Sequence, residues 1–208
     1  MVHENVAAAT YFGLERMDKE KPVHIMFYNM GGQDTEVAIA KYSAVTNEKK
    51  KSVEMVEILS ETWDKTLGGG EFDDVLVNIM ADEFNGMKER KGKEDVRKNI
   101  RAVKRLYKEA SKVKDTLSAN KNMIIKVPEL LDYVTLKFTL ERTLFEQKCE
   151  HLFSRVAKPA QDALEKAGLK ASDIDQIEIL GGGIRVPKVQ EILKKTVEKE
   201  VLHVHLNG

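Results

Sequence analysis

Three glycine clusters and one arginine carry most of the chemical potential of this sequence: Gly31-Gly32, Gly68-Gly69-Gly70, and Gly181-Gly182-Gly183 with Arg185 just beyond. Glycine lets backbone N–H groups come close to a ligand, and helix starts favour negative charge. The first cluster falls in a hairpin turn; the second and third each precede a helix. None has the Gly-Lys-Ser/Thr of a Walker loop, and none has dinucleotide spacing after a strand. Each alone is an ordinary glycine turn. Together they point to a phosphate and purine site shared among several loops. Cys149 is the single cysteine, which excludes a disulfide framework and a thiolate metal site. It shares a helical apolar face with Leu144, Phe145, Leu152, Phe153 and Val156, so a core role is expected. His203 and His205 stand i, i+2 with no carboxylate or cysteine nearby, and no metal site is expected of them.

The elements that must position these loops are legible from periodicity. Residues 23–29 and 36–42 alternate or run apolar as strands do, with the turn 30–35 between them, and a helix over residues 5–16 precedes them. A third strand is expected at Val53–Leu59. Then the period changes: Phe72, Val75, Leu76, Ile79, Met80 and Phe84 define a helix, and Val96 to Leu117 a longer one. The opposite face of the longer helix carries Arg97, Arg101, Lys104, Arg105, Lys108 and Lys112, read as a solvated face. Residues 85–93 between the two helices are polar and glycine-punctuated, hence a loop. Strands at Met123–Val127 and Tyr133–Phe138 follow, with the turn at Pro128-Glu129. Helices are expected near 140–156 and 158–167, Gly168 capping the second. The last unit is a strand at Ile177–Leu180, the glycine turn, and a helix opened by Pro187 and running through Lys199. The fold class is mixed α/β: a β-rich and α/β core interrupted by a helical block.

Composition narrows the function classes. The 34 basic and 34 acidic residues among 208 cancel, so neither nucleic acid nor a membrane surface is the expected partner. No apolar run approaches the roughly 18 residues of a membrane span, and the start is not a signal peptide. Met1 to Asn5 runs directly into an Ala-rich helical stretch, as expected of a start placed within a domain.

Three strings then carry a resemblance: Thr66-Leu67-Gly68-Gly69-Gly70-Glu71-Phe72-Asp73, Asp115-Thr116-Leu117-Ser118-Ala119-Asn120, and Leu180-Gly181-Gly182-Gly183-Ile184-Arg185-Val186-Pro187-Lys188-Val189-Gln190. In order and separation they closely resemble the seventy-kilodalton heat-shock chaperone family. Glu4 with Ala7-Ala8-Ala9, and Leu144 to Cys149, fall in place as well. The resemblance implies the second lobe of an actin-like (ribonuclease-H-like) ATPase domain. Residues 1–67 and 150–208 would form its sheet-containing base, and 68–149 its inserted helical subdomain. It also implies ATP or ADP with magnesium as the ligand of the full-length protein. Gly31, Gly32 and Gly69 would face the phosphates. Lys114, Ser118, Gly181, Gly182 and Arg185 would hold the adenosine, and Glu4 would stand in the outer shell of the metal. Arg185 would stack on the purine, worth about 0.5–2 kcal/mol.

Departures from the family pattern are equally informative. Asn29-Met30-Gly31-Gly32-Gln33-Asp34-Thr35-Glu36 stands where hydrolysing members resemble Asp-Leu-Gly-Gly-Gly-Thr-Phe-Asp. Asn29 replaces an acid, Gln33 a glycine, and Asp34 a threonine, unless a longer turn lets Thr35 serve. A carboxylate at a γ-phosphate adds repulsion of about 1 kcal/mol or more. Ser111 and Asp115 replace a glutamate and an arginine on the adenosine side. These features resemble the large divergent members, the hundred-and-seventy-kilodalton class of the endoplasmic reticulum first and the cytosolic hundred-and-ten-kilodalton class next. Such a resemblance implies nucleotide exchange on a conventional seventy-kilodalton chaperone, holding of unfolded clients, and weak or absent hydrolysis. It places the protein in the endoplasmic reticulum lumen, with the cytoplasm as the alternative. A true ATPase using Thr35 and Glu36, and a scaffold that ignores nucleotide, are the competing readings. The family's first lobe, with its own phosphate loop and lysine, has no counterpart here. The chain stops just before the family's closing Ala-rich helix. The isolated chain is therefore expected to bind nucleotide with a dissociation constant of about 1 mM or weaker and not to be catalytic.

Overall fold

In the computed structural model, residues 4–16, 21–46 and 52–206 are described. Expectations about the chain's first three and last two residues lie outside them. The chain divides into two units, one formed by residues 1–69 and 153–208 and the other by the continuous stretch 70–152.

In the first unit, β1 (Val23–Met30), β2 (Thr35–Thr46) and β3 (Ser52–Asp64) form an antiparallel meander. A strand from the far end of the sequence, β6 (Gln176–Leu180), adds in parallel to β1, giving the order β3-β2-β1-β6. The central strands read as continuous apolar runs because both sheet faces are covered. Helix α1 (Glu4–Arg16) lies over one face, where Ala9 and Phe12 pack with Ile25, Phe27, Ala40 and Tyr42. The Tyr42 hydroxyl donates to the carbonyl of Ala9 at 2.7 Å. The other face meets α5 (Glu150–Ala167): Tyr28, Ser60 and Thr62 donate their hydroxyls to the carbonyls of Val156, Ala163 and Pro159. Helix α6 (Pro187–Thr196) follows the third glycine cluster and buries Val189 and Leu193. It ends three residues short of the expected Lys199.

The second unit holds α2 (Gly69–Asn85), α3 (Ile100–Ala119), the hairpin β4 (Asn122–Leu131) and β5 (Val134–Glu141), and the short α4 (Arg142–Lys148). Three expectations are corrected here. The long helix begins at Ile100 rather than Val96, because the Asn99 side chain accepts from the Ala102 N–H and caps it. The hairpin turns at Asp132-Tyr133, not at Pro128-Glu129. Leu131 pairs with Val134, and the two residues between have φ of 51° and 60°, as a tight two-residue turn needs. Pro128 and Glu129 instead sit where the pairing slips. The helical break falls at Cys149, and Pro159 lies inside α5. Burial of Val156, Ala160 and Ala163 outweighs the N–H that Pro159 lacks.

The loop at 85–93 contains one helical turn whose Arg90 is buried and paired with Asp132. Cys149 is fully buried, as expected, and burial pushes its thiol up. The basic face expected of the long helix is partly consumed: Arg97, in the turn before α3, pairs with Asp82 and Asp95, and Arg105 of α3 donates to the carbonyls of Pro128 and Glu129. Gly168 caps α5 with φ 67°.

Candidate nucleotide site

Because β1 and β6 run parallel, their C-terminal ends lie at the same edge of the sheet, the usual place for a ligand in an open α/β layer. Both ends lead into glycine. A Cβ on Gly181 would lie 2.2 Å from the carbonyl oxygen of Met30, and one on Gly183 would lie 2.5 Å from the Met30 side chain. Gly181 also has φ 85°. The second cluster meets the first: the Gly69 N–H donates to the Gly31 carbonyl at 2.8 Å, and a Cβ on Gly68 would collide with the backbone of Gly32 and Gln33. Thus three glycine stretches, separated by about 35 and 110 residues of sequence, converge on the end of β1. Gly32 and Gly182 face open space, where a Cβ would touch nothing within 4 Å.

The turn itself is closed by the Gly31 N–H donating to the Asp34 carbonyl at 2.9 Å. The Asp34 carboxylate lies over Gly31, 3.5 Å from where a Cβ there would sit. Thr35 is fully buried and donates its hydroxyl to the Leu67 carbonyl at 2.6 Å. Its neighbour Glu36 pairs across the strands with Asn29, so the two side chains share the α1 face. On that face the Asn29 amide donates to the Glu4 carboxylate at 3.2 Å. Sequence reasoning placed Glu4 near a metal and gave Glu36 a role only in the rival ATPase reading; counting register through the hairpin puts the Glu36 side chain on the face that Glu4 meets.

Arg185 ends the short helical turn after Gly182 and is exposed, with no hydrogen-bond or ion-pair partner among the described residues. In the second unit, Lys114 and Ser118 stand one turn apart on α3. The Lys114 ammonium lies 2.8 Å from Asp73 on α2, with both side chains mostly buried, and the other Asp73 oxygen has no donor among the described residues. The Ser118 hydroxyl donates back to the Asp115 carbonyl at 2.6 Å.

The expectation that His203 and His205 lack a nearby carboxylate is overturned. Glu178 of β6 accepts at 2.6 Å from the Nδ1 side of His205. The residues come together only through the sheet, 25 or more positions apart in sequence.

A sheet of this order, helix-covered on both faces and carrying glycine loops at one edge, fits the α/β layer of an actin-like domain. The family model for Hsp70 protein matches residues 1–207, and the chain belongs to that family. It is 39% identical over 210 residues to hypoxia up-regulated protein 1 of Xenopus tropicalis and 35% identical to that of Homo sapiens. It is 35% identical over 211 residues to heat shock 70 kDa protein 17 of Arabidopsis thaliana. All of this chain is covered in each match, against 32%, 21% and 24% of the respective relatives. The chain therefore spans about a third or less of the relatives it matches. The nucleotide-binding domain of this family takes ATP or ADP with magnesium.

Proposed function

We propose that this chain is the second lobe of the nucleotide-binding domain of a large heat-shock-type chaperone that works mainly as a nucleotide exchange factor and client holdase. The convergence of the three glycine stretches on the end of β1 is the observation that carries the nucleotide part of this reading. The first unit supplies the sheet-bearing base and the second the inserted helical subdomain. Backbone at Gly31, Gly32 and Gly69 would hold phosphates, since glycine there keeps the loop open to a close anion. Arg185, exposed and without a partner among the described residues, would lie against the purine with Gly181 and Gly182 beneath it. The resemblance gives Lys114 and Ser118 the ribose side; the buried Asp73 oxygen beside Lys114, with no donor among the described residues, fits a hydroxyl donor. The oxygen donors Glu4 and Glu36, sharing a face with Asn29, fit magnesium, which keeps most of its waters and needs few carboxylates. Magnesium there would neutralise phosphate charge.

Weak hydrolysis follows from the loop. An amide stands at Asn29 where an acid would help order metal and water, and the Asp34 carboxylate adds negative charge beside Gly31. The rival reading, a competent ATPase with a rearranged loop, draws on Glu36 opposite Asn29. The burial of Thr35 and its bond to Leu67 count against it. The same reading, through the resemblance to the large divergent members, gives the endoplasmic reticulum lumen as its compartment and a conventional seventy-kilodalton chaperone as its partner alongside unfolded clients.

The test is a paired assay on the full-length protein: ATP turnover, and release of labelled ADP from a conventional seventy-kilodalton chaperone. Accelerated release with feeble turnover is the expected outcome. Turnover at the pace of a conventional chaperone, lost on Asp34→Ala, would overturn the reading.

A further inference from the structure

On the face of β6 that lies under α1, Leu180 packs partly buried against the apolar cluster, and Glu178, paired with Phe27 of β1, has none of its surface exposed. A buried carboxylate is costly unless it is paired, and among the described residues its only ion-pair partner is His205. The His205 N–H donates to the second carboxylate oxygen at 3.1 Å, and the Gln176 amide donates to the first. The Glu178 charge reaches Tyr42 as well: burial, and then this carboxylate, push that phenol up.

Backbone pairing, rather than side-chain rotamers, brings the histidines there. The His203 N–H donates to the Ile177 carbonyl at 3.0 Å and the Ile179 N–H to the His203 carbonyl at 2.9 Å, a parallel bridge that sets His203 beside Glu178. Paired residues share a face, and so does the residue two further on, which is His205. The two rings stack at 5.2 Å between centroids and 19° between planes.

We propose that Glu178, His203 and His205 form a binding site for a divalent metal ion of the zinc class. One ligand atom from each lies within 4.8 Å of the other two. Tetrahedral zinc with bonds of about 2.0–2.2 Å sets its ligand atoms about 3.3 Å apart, so shifts of at most about 1.5 Å, with the metal taking the place of the His205–Glu178 hydrogen bond, complete the site. Two imidazoles and a carboxylate suit zinc rather than magnesium or calcium, which take oxygen. Three protein ligands leave a fourth place for water. Because His205 also packs 6.3 Å from Phe12 of α1, the metal would clasp the segment after α6 to both the sheet and its covering helix. This site stands apart from the nucleotide reading and does not depend on it.

Metal-stripped chain titrated with cobalt(II) should develop the visible absorption of a four-coordinate site, saturating at one equivalent and displaced by zinc. His203→Ala and His205→Ala should each weaken zinc binding by more than the roughly 10–100-fold that loss of an outer-shell partner costs. His24→Ala and His151→Ala should leave it unchanged. Zinc at about 100 times its dissociation constant should raise the folded-to-unfolded ratio about 100-fold in the unaltered chain, and not in the His203→Ala/His205→Ala pair. No saturable binding, or binding that survives in that double variant, overturns the proposal. Glu178→Gln adds a third arm where it folds; the histidine variants decide the matter without it.

Discussion

The side-chain amide of Asn29, at the end of β1, donates to the carboxylate of Glu4 in the first turn of α1, 3.2 Å away. A neutral donor there lets two carboxylates, Glu4 and Glu36, share one sheet face without a third charge. Asn29→Asp turns that donor into a like charge facing Glu4. Glu4 is exposed, so screening reduces the penalty to about 1 kcal/mol. The variant should melt below the unaltered chain in chelator and recover at least part of the loss with magnesium. A loss that magnesium leaves untouched would sink the metal role given to Glu4 and Glu36.

Gly181 and Gly182 are adjacent but should respond oppositely to one methyl group. Gly181→Ala places a Cβ 2.2 Å from the Met30 carbonyl oxygen at a φ of 85°, so both sterics and backbone are violated. The expected cost is more than about 3 kcal/mol, a fall of about 6–12 °C in Tm for a chain of this size. Gly182→Ala meets nothing within 4 Å and should melt as the unaltered chain does. Thermal unfolding of the two variants side by side is the check.

What could be read from the sequence, and what could not, divides along physical lines. β1, β2, β6, α1 and α2 follow from local periodicity and lie about where it put them, and the Pro187 helix starts where its proline put it. The glycine clusters could be seen as candidates, but not that Gly181 and Gly183 close on Met30, because parallel β1–β6 pairing is a contact across about 150 residues. Pro128 misled because proline is a strong turn signal, while Asp132-Tyr133 lacks the glycine that usually marks a two-residue turn. Glu178 is invisible for the opposite reason. A lone charge in Ile177-Glu178-Ile179 reads as an outward strand position, and the His203 and His205 contacts that meet it come from 25 or more residues away.

Thr35 is a structural residue in this fold. Its hydroxyl donates to the Leu67 carbonyl in a fully buried position. Thr35→Val keeps the shape and leaves that carbonyl unsatisfied, at about 1–3 kcal/mol. Tm should fall while nucleotide turnover in the full-length protein stays as it was. A turnover defect without a stability loss would instead favour the catalytic role of the rival reading.

Asp64 and Arg155 give the first unit a measurable acid dependence. Partial burial alone would raise the Asp64 carboxyl, but the Arg155 guanidinium at 2.6 Å and the Thr66 backbone N–H hold it below the usual carboxylate range. A folded value lower than the unfolded one adds stability above about pH 4, and that stability is lost as pH falls through the folded value. The pair is over a third exposed on the arginine side, so its worth is about 1 kcal/mol. The Tm gap between the unaltered chain and Arg155→Met should be full at neutral pH and close as acid protonates Asp64. A gap that stays constant down to strong acid would assign the effect to packing of the arginine stem.

Arg185 offers the sharpest separation of binding from folding. Its guanidinium is exposed and has no partner among the described residues, so Arg185→Ala removes no interaction that holds the fold. Tm should therefore not move. If the guanidinium covers a purine, its loss costs about 1 kcal/mol, or about a fivefold weaker affinity for ATP and ADP alike. Calorimetric titration in protein that carries the complete nucleotide-binding domain measures this. Triphosphate without a purine base serves as the control, and its affinity should be unaffected. Equal losses for both ligands would mean that Arg185 acts on phosphate charge, and the purine assignment would have to be given up.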